Sequence, residues 1–156
     1  MITRTGALLA LSLFATCAVT GVSAADTPAG RWAFETDPVN LNCLLKGEMQ
    51  VRPTSVEGQY ACTFIANQIC EGDPPLDIKV EQSCTATLSG SQVNIESRIE
   101  RTVSVSPESQ RDRVDALYAP DHFFVSLNAA GDEMTGMFHS VSRAFVRFTR
   151  LQDLTS

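Results

Sequence analysis

The stretch Asp77-Ile78-Lys79-Val80-Glu81-Gln82-Ser83-Cys84-Thr85-Ala86-Thr87-Leu88 decides the fold class. Ile78, Val80, Cys84, Ala86 and Leu88 occupy even positions. Asp77, Lys79, Glu81, Ser83, Thr85 and Thr87 occupy the odd ones, and Gln82 is the polar intruder among the apolar set. Successive side chains of a strand point to opposite faces, so this period of two predicts a half-buried β-strand. Ser89-Gly90-Ser91-Gln92 comes next, a tight turn in which glycine supplies the positive φ of a two-residue hairpin loop. Beyond it Val93, Ile95, Ile99, Val103 and Val105 alternate with polar residues, and Ser97 shares their parity.

The pattern extends upstream. Leu41, Cys43, Leu45, Gly47, Met49 and Val51 alternate with polar residues, Leu44 being the exception, and Tyr60, Cys62, Phe64, Ala66, Gln68 and Cys70 form the connecting strand. Pro53 to Gly58 and Gly72-Asp73-Pro74-Pro75 are the turns between them. Arg31 to Thr36 supplies a first strand. Phe123, Val125 and Leu127 supply a later one, and Met134–Val141 with Ala144–Leu151 reads as a closing hairpin. Residues 106–120 are polar and charged, and suit either a short helix begun by Ser106-Pro107-Glu108 or a strand through Val114, Ala116 and Tyr118. The expected fold is all-β, an eight- to nine-stranded antiparallel up-and-down meander. Closing it into a barrel hides both sheet edges, and a β-sandwich is the alternative.

The same registers suggest how the cysteines pair. Joining Cys43 to Cys70 centres a hairpin between Val56 and Glu57, and joining Cys62 to Cys84 centres the next on Asp73, both within turn signals. Directly opposed residues in antiparallel strands lie at a separation a disulfide accepts. Cys43–Cys62 with Cys70–Cys84 would move the centres to Arg52-Pro53 and Asp77, away from the middle of the turns. Cys62 and Cys70 lie on one strand, about 26 Å apart if extended. Zinc is not expected, because the four cysteines include no Cys-x-x-Cys pair.

An oxidising compartment agrees with the N-terminus. Arg4, the apolar run Ala7 to Val19 and the small residues Val22-Ser23-Ala24 have the layout of a cleaved secretory signal, residues 1–24, leaving residues 25–156 as one domain. The run is shorter than the roughly 20 residues needed to span a bilayer. Phe14-Ala15-Thr16 before Cys17 is a poor match to a lipid-attachment motif. The expected location is therefore the periplasm or outside the cell, with no stable membrane insertion after cleavage. The formal net charge is −6, and with no clustered basic face this argues against nucleic acid as a partner.

No catalytic set stands out. His122 follows Asp121 and Ser140 follows His139, but neighbours along a strand face opposite ways and no nucleophile motif accompanies them. Glu96, Glu100, Glu108, Asp112 and Asp115 fall on polar faces or in the charged stretch, so no carboxylate is expected inside. The inward parity does carry four neutral polar residues, Tyr60, Gln68, Gln82 and Ser97. Buried polar groups need partners, which an internal network, a place at the rim or a ligand can supply. No enzyme activity, cofactor or metal is expected.

Gly30-Arg31-Trp32 at the first strand and Val146-Arg147-Phe148-Thr149-Arg150 at the last resemble the calycin group of barrels, the lipocalins, avidins and their relatives. The resemblance implies that Trp32 closes one barrel end beneath Arg147 or Arg150, with Gly30 beside it. The function expected of the whole chain is that of a non-enzymatic binding protein, its barrel holding a small apolar or amphiphilic ligand. The alternatives are a module that binds an exported protein, such as a protease inhibitor, or a structural protein of the envelope. Small bacterial metalloprotease inhibitors are similar in size and strand order and insert a free N-terminal segment into their target. Ala25-Asp26-Thr27-Pro28-Ala29 would be that segment here.

Overall fold

Strands with one apolar face can all bury it at once by closing on themselves, and this chain does so. The structure is a computed structural model and describes residues 27–39 and 42–152. The expected signal segment, residues 1–24 with Cys17, and the residues Ala25 and Asp26 lie outside the described residues. Eight antiparallel strands follow in chain order: β1 (Gly30–Thr36), β2 (Cys43–Pro53), β3 (Gln59–Cys70), β4 (Leu76–Ser89), β5 (Gln92–Ser106), β6 (His122–Leu127), β7 (Glu133–His139) and β8 (Arg143–Leu151). Each pairs with the next, and β8 returns to β1 to close the barrel. The undecided stretch before β6 is helical, a short 3-10 turn at Glu108–Gln110 running into helix α1 (Arg111–Leu117). The Ser89 to Gln92 turn is a two-residue loop with Gly90 at φ +62°.

Rings fill the middle of the barrel. Phe123 lies 5.4, 5.8 and 5.2 Å from Phe34, Phe64 and Phe148, with Phe138 at 5.9 Å. Aromatic pairs in this range contribute about 0.5–1.5 kcal/mol each beyond their burial. Met49 and Met134 are also fully buried among them. Gly47 makes room for this cluster, since a Cβ there would come within 2.7 Å of the Phe34 ring.

One end of the barrel is sealed. The Trp32 indole N–H donates to the Pro28 carbonyl at 2.8 Å, and the Arg150 guanidinium lies 4.3 Å from the indole centroid. That guanidinium also donates to the carbonyls of Thr27, Ala29 and Gly131. Gly30, at φ +134°, could not be replaced without conflict, because a Cβ would stand 2.5 Å from Arg150 Nη1. Of the two arginines expected from sequence, Arg150 therefore covers the tryptophan. Arg147 does not: it faces solvent on the outer surface, 3.5 Å from Glu133. Its odd parity along β8 puts it opposite Val146, Phe148 and Arg150.

The long hairpin β4–β5 outruns its neighbour. β6 pairs with β5 only through Gln92–Ile95, so the far half of β5 packs under α1 in a second cluster of Ile78, Val80, Val105 and Val114. Glu100 and Val103 have no partner on β4, marking two bulges. Each extra residue reverses the facing of the residues beyond it. Val103, expected inside, is 38% exposed. The hydroxyl of Thr102 meets Asp115 of α1, and the second bulge returns Val105 to the interior.

The disulfides join Cys43 to Cys70 and Cys62 to Cys84, each pair directly opposed in the ladder. Non-reducing peptide mapping should recover these two linkages and no peptide joining Cys62 to Cys70. Replacing Arg150 with alanine removes the cation over the indole and its carbonyl bonds together. It should lower stability by about 2–4 kcal/mol in urea titrations followed by the single tryptophan. Arg147→Ala, at an exposed ion pair, should change it by less than about 1 kcal/mol.

Candidate functional site

The end opposite Trp32 is not sealed. Between α1, the β7–β8 turn and the barrel mouth lies a cavity of about 320 Å³. Phe138 caps the aromatic cluster beneath it, and Val39, Leu76, Ile78, Val114 and Leu117 make its walls largely apolar. Gln68, Arg113, Ser140 and Ser142 reach it from around the mouth. The barrel is thus filled through its centre by Phe64, Met49, Phe123 and Phe138, and this cavity lies at one end.

At the base of this cavity sits a carboxyl group. Asp121 follows the Ala119-Pro120 link that brings the chain from α1 into β6, and it shares the parity of Phe123, Val125 and Leu127. It is only 2% exposed. Gln82 of β4 holds it through a reciprocal pair: the amide Nε2 donates to Oδ2 at 2.5 Å, and Oε1 accepts from the Asp121 backbone N–H at 3.0 Å. The Tyr118 hydroxyl donates to the same Oδ2 at 2.8 Å. Asp121 Oδ1 makes no hydrogen bond among the described residues, and Asp121 lines the cavity.

Burial disfavours the ionised form, and the bonds from Tyr118 and Gln82 offset only part of that. The carboxyl is pushed up to about 6. The Tyr118 hydroxyl is itself driven far above its ordinary range, first by burial and then by the neighbouring Asp121 charge. It therefore stays a donor at any physiological pH.

The four inward polar residues separate. Gln82 anchors the carboxyl, and Gln68 lines the cavity, its amide 3.4 Å from Cys70 Sγ. Tyr60 lies at the sealed end, where its hydroxyl accepts from Thr27 Oγ1 at 3.1 Å. Ser97 stands where β5 parts from β6; its Oγ is buried without a partner among the described residues, and its backbone N–H donates to His122 Nδ1 at 3.0 Å. The expectation of no inward carboxylate was wrong. Reading the β6 alternation two residues further back would have placed Asp121 inside. Its pairing with Gln82 has no local signal, because β4 and β6 are not neighbours in the sheet.

No Asp-His-Ser arrangement forms from the adjacent residues. Asp121 turns inward to Gln82 and Tyr118, His122 faces the other way, and Ser140 Oγ donates to the Ala119 carbonyl. His122 and His139 sit opposite each other across β6 and β7 with ring centroids 6.4 Å apart. Nor are residues 27–29 a free arm: the carbonyls of Thr27, Pro28 and Ala29 are all bonded at the sealed end. A segment inserted into a target would first have to be released from those contacts. On the outer surface Phe124, Met137 and Phe145 form an exposed row across β6, β7 and β8. Apolar groups of that size are ordinary on monomer surfaces.

No family model matches the chain, and no curated protein matches it. Solved structures do. It is similar to mFAP1, a redesigned β-barrel bound to DFHBI, at 9% identity and a TM-score of 0.55, covering 82% of this chain and 98% of that one. It is also similar to a de novo designed fluorescence-activating β-barrel, at 14% identity and a TM-score of 0.53, covering 80% of this chain and 93% of that one. At such identities the likeness is one of fold, and the fold shared is the small closed antiparallel barrel.

Proposed function

We propose that this chain is an exported, non-enzymatic carrier or sensor that holds a small amphiphilic molecule at the open barrel end, between α1 and Phe138. The observation that carries this reading is Asp121, a carboxyl buried at the base of an apolar cavity with one oxygen left for a partner. A pocket that is mostly apolar with few convergent polar groups is the usual form of a small-molecule site, and this one is at the small end of the range. The designed barrels support the reading in a limited way: mFAP1 shows that a barrel of this fold accommodates a small molecule. The two disulfides fit an oxidising compartment. Among the described residues no helix is long and apolar enough to cross a membrane.

A carboxylate in such a place lowers stability. With its pKa raised from 3.8 to about 6, the folded protein takes up a proton more readily than the unfolded chain. The penalty is therefore complete above pH 6 and is relieved as pH falls towards 4, amounting to about 3 kcal/mol when fully ionised.

Two measurements test the reading. A neutral environment-sensitive dye such as Nile red should bind wild-type protein. Ser142→Trp, which places an indole in the cavity mouth, should weaken that binding at least tenfold without moving the urea midpoint. Dye binding that ignores Ser142→Trp, or no binding at all, would overturn the assignment of the cavity. Asp121→Asn should melt higher than wild type at pH 8. That advantage should shrink at pH 5, because wild type recovers about 1–2 kcal/mol there by protonating Asp121.

A further inference from the structure

Building on the cavity reading, we infer that the preferred occupant is an apolar amine, its protonated nitrogen donating to Asp121 Oδ1 and its hydrocarbon body lying against Phe138, Val114 and Leu117. A carboxylate has acceptor sites only, and Oδ2 is already occupied by donors from Gln82 and Tyr118. Both donors point to the same oxygen, so the bond network orients the carboxyl and leaves Oδ1, on a residue that lines the cavity, without a donor among the described residues.

The walls determine which donor suits it. A hydroxyl or neutral amide would satisfy the oxygen yet leave a negative charge in apolar surroundings. A carboxylate or phosphate would add a second negative charge there, which the low dielectric penalises most. A protonated amine supplies both the hydrogen bond and the compensating charge, and charge-assisted bonds are roughly twice as strong as neutral ones. Arg113 also lines the cavity, but it is an exposed residue of α1, in water that screens its charge. No cation of the protein is bonded to Asp121 among the described residues.

The test compares three ligands of one shape, 3-phenylpropylamine, 3-phenylpropanol and 3-phenylpropionate, by isothermal titration calorimetry at pH 7.5. Wild type should bind the amine at least tenfold more tightly than the alcohol, with no detectable binding of the acid. Asp121→Asn should abolish the amine's advantage, so that amine and alcohol bind it with similar affinity. Equal affinities for amine and alcohol on wild type would overturn the inference, as would an advantage that persists in Asp121→Asn. If none of the three ligands binds, the amine assignment fails. Nile red then separates the two claims: dye binding still blocked by Ser142→Trp leaves the cavity reading standing, and its absence removes that reading as well.

Discussion

Closure between β1 and β8 is the constraint on which the rest of the structure depends. It sets Trp32 opposite Arg150 in the ladder and so directs the guanidinium over the indole. Once that end is roofed by Arg150 and the Thr27–Ala29 segment, the five phenylalanines behind it fill the bore. The only direction left for irregularity is the other mouth. There β6 is short, the β4–β5 hairpin runs on past it, and α1 packs on the apolar surface of that extension. The cavity lies between this seven-residue helix, the β7–β8 turn and the barrel mouth.

Asp121 gives this mouth its one buried carboxyl among the described residues. A barrel centre packed with rings offers nothing directional, whereas the link from α1 to β6 brings one acidic side chain down against the amide of a distant strand. The amide bonds both the backbone and the carboxyl of Asp121. Gln82 therefore holds the loop and the functional group in one place. The intruder on an apolar face is the fixture for the site.

Much of this was legible because strand alternation is a local signal. The β4–β5 hairpin, the turn at Gly90 and the opposition of Cys62 to Cys84 all follow from counting positions. The choice between Arg147 and Arg150 was open to the same counting, since Ala144, Val146 and Phe148 share the parity of Arg150. Phe145 obscured it by being apolar on the outer face. The bulges at Glu100 and Val103 were hidden for a related reason: valine suits either facing, so its exposure carries no mark in the sequence. Residues 106–120 stayed ambiguous because their few apolar positions match a helix and a strand equally. The contact between Gln82 and Asp121 was beyond reach, since it depends on how the interior packs across the barrel rather than on any neighbouring pair.

The two disulfides have a consequence for the chain when it is not folded. Both lie across ladders that share β3, so β2, β3 and β4 are tied at one point in each hairpin. A strand that slips by one residue presents its whole apolar set to water, which is the characteristic error of a period-two pattern. With Cys43 bound to Cys70 and Cys62 to Cys84, one native residue pair in each of these two hairpins stays joined when every hydrogen bond has been lost, and a ladder that reforms through it takes the native register. The oxidised, denatured chain therefore retains a memory of which side of three strands faces inward, while β6, β7 and β8 must find theirs afresh against that template.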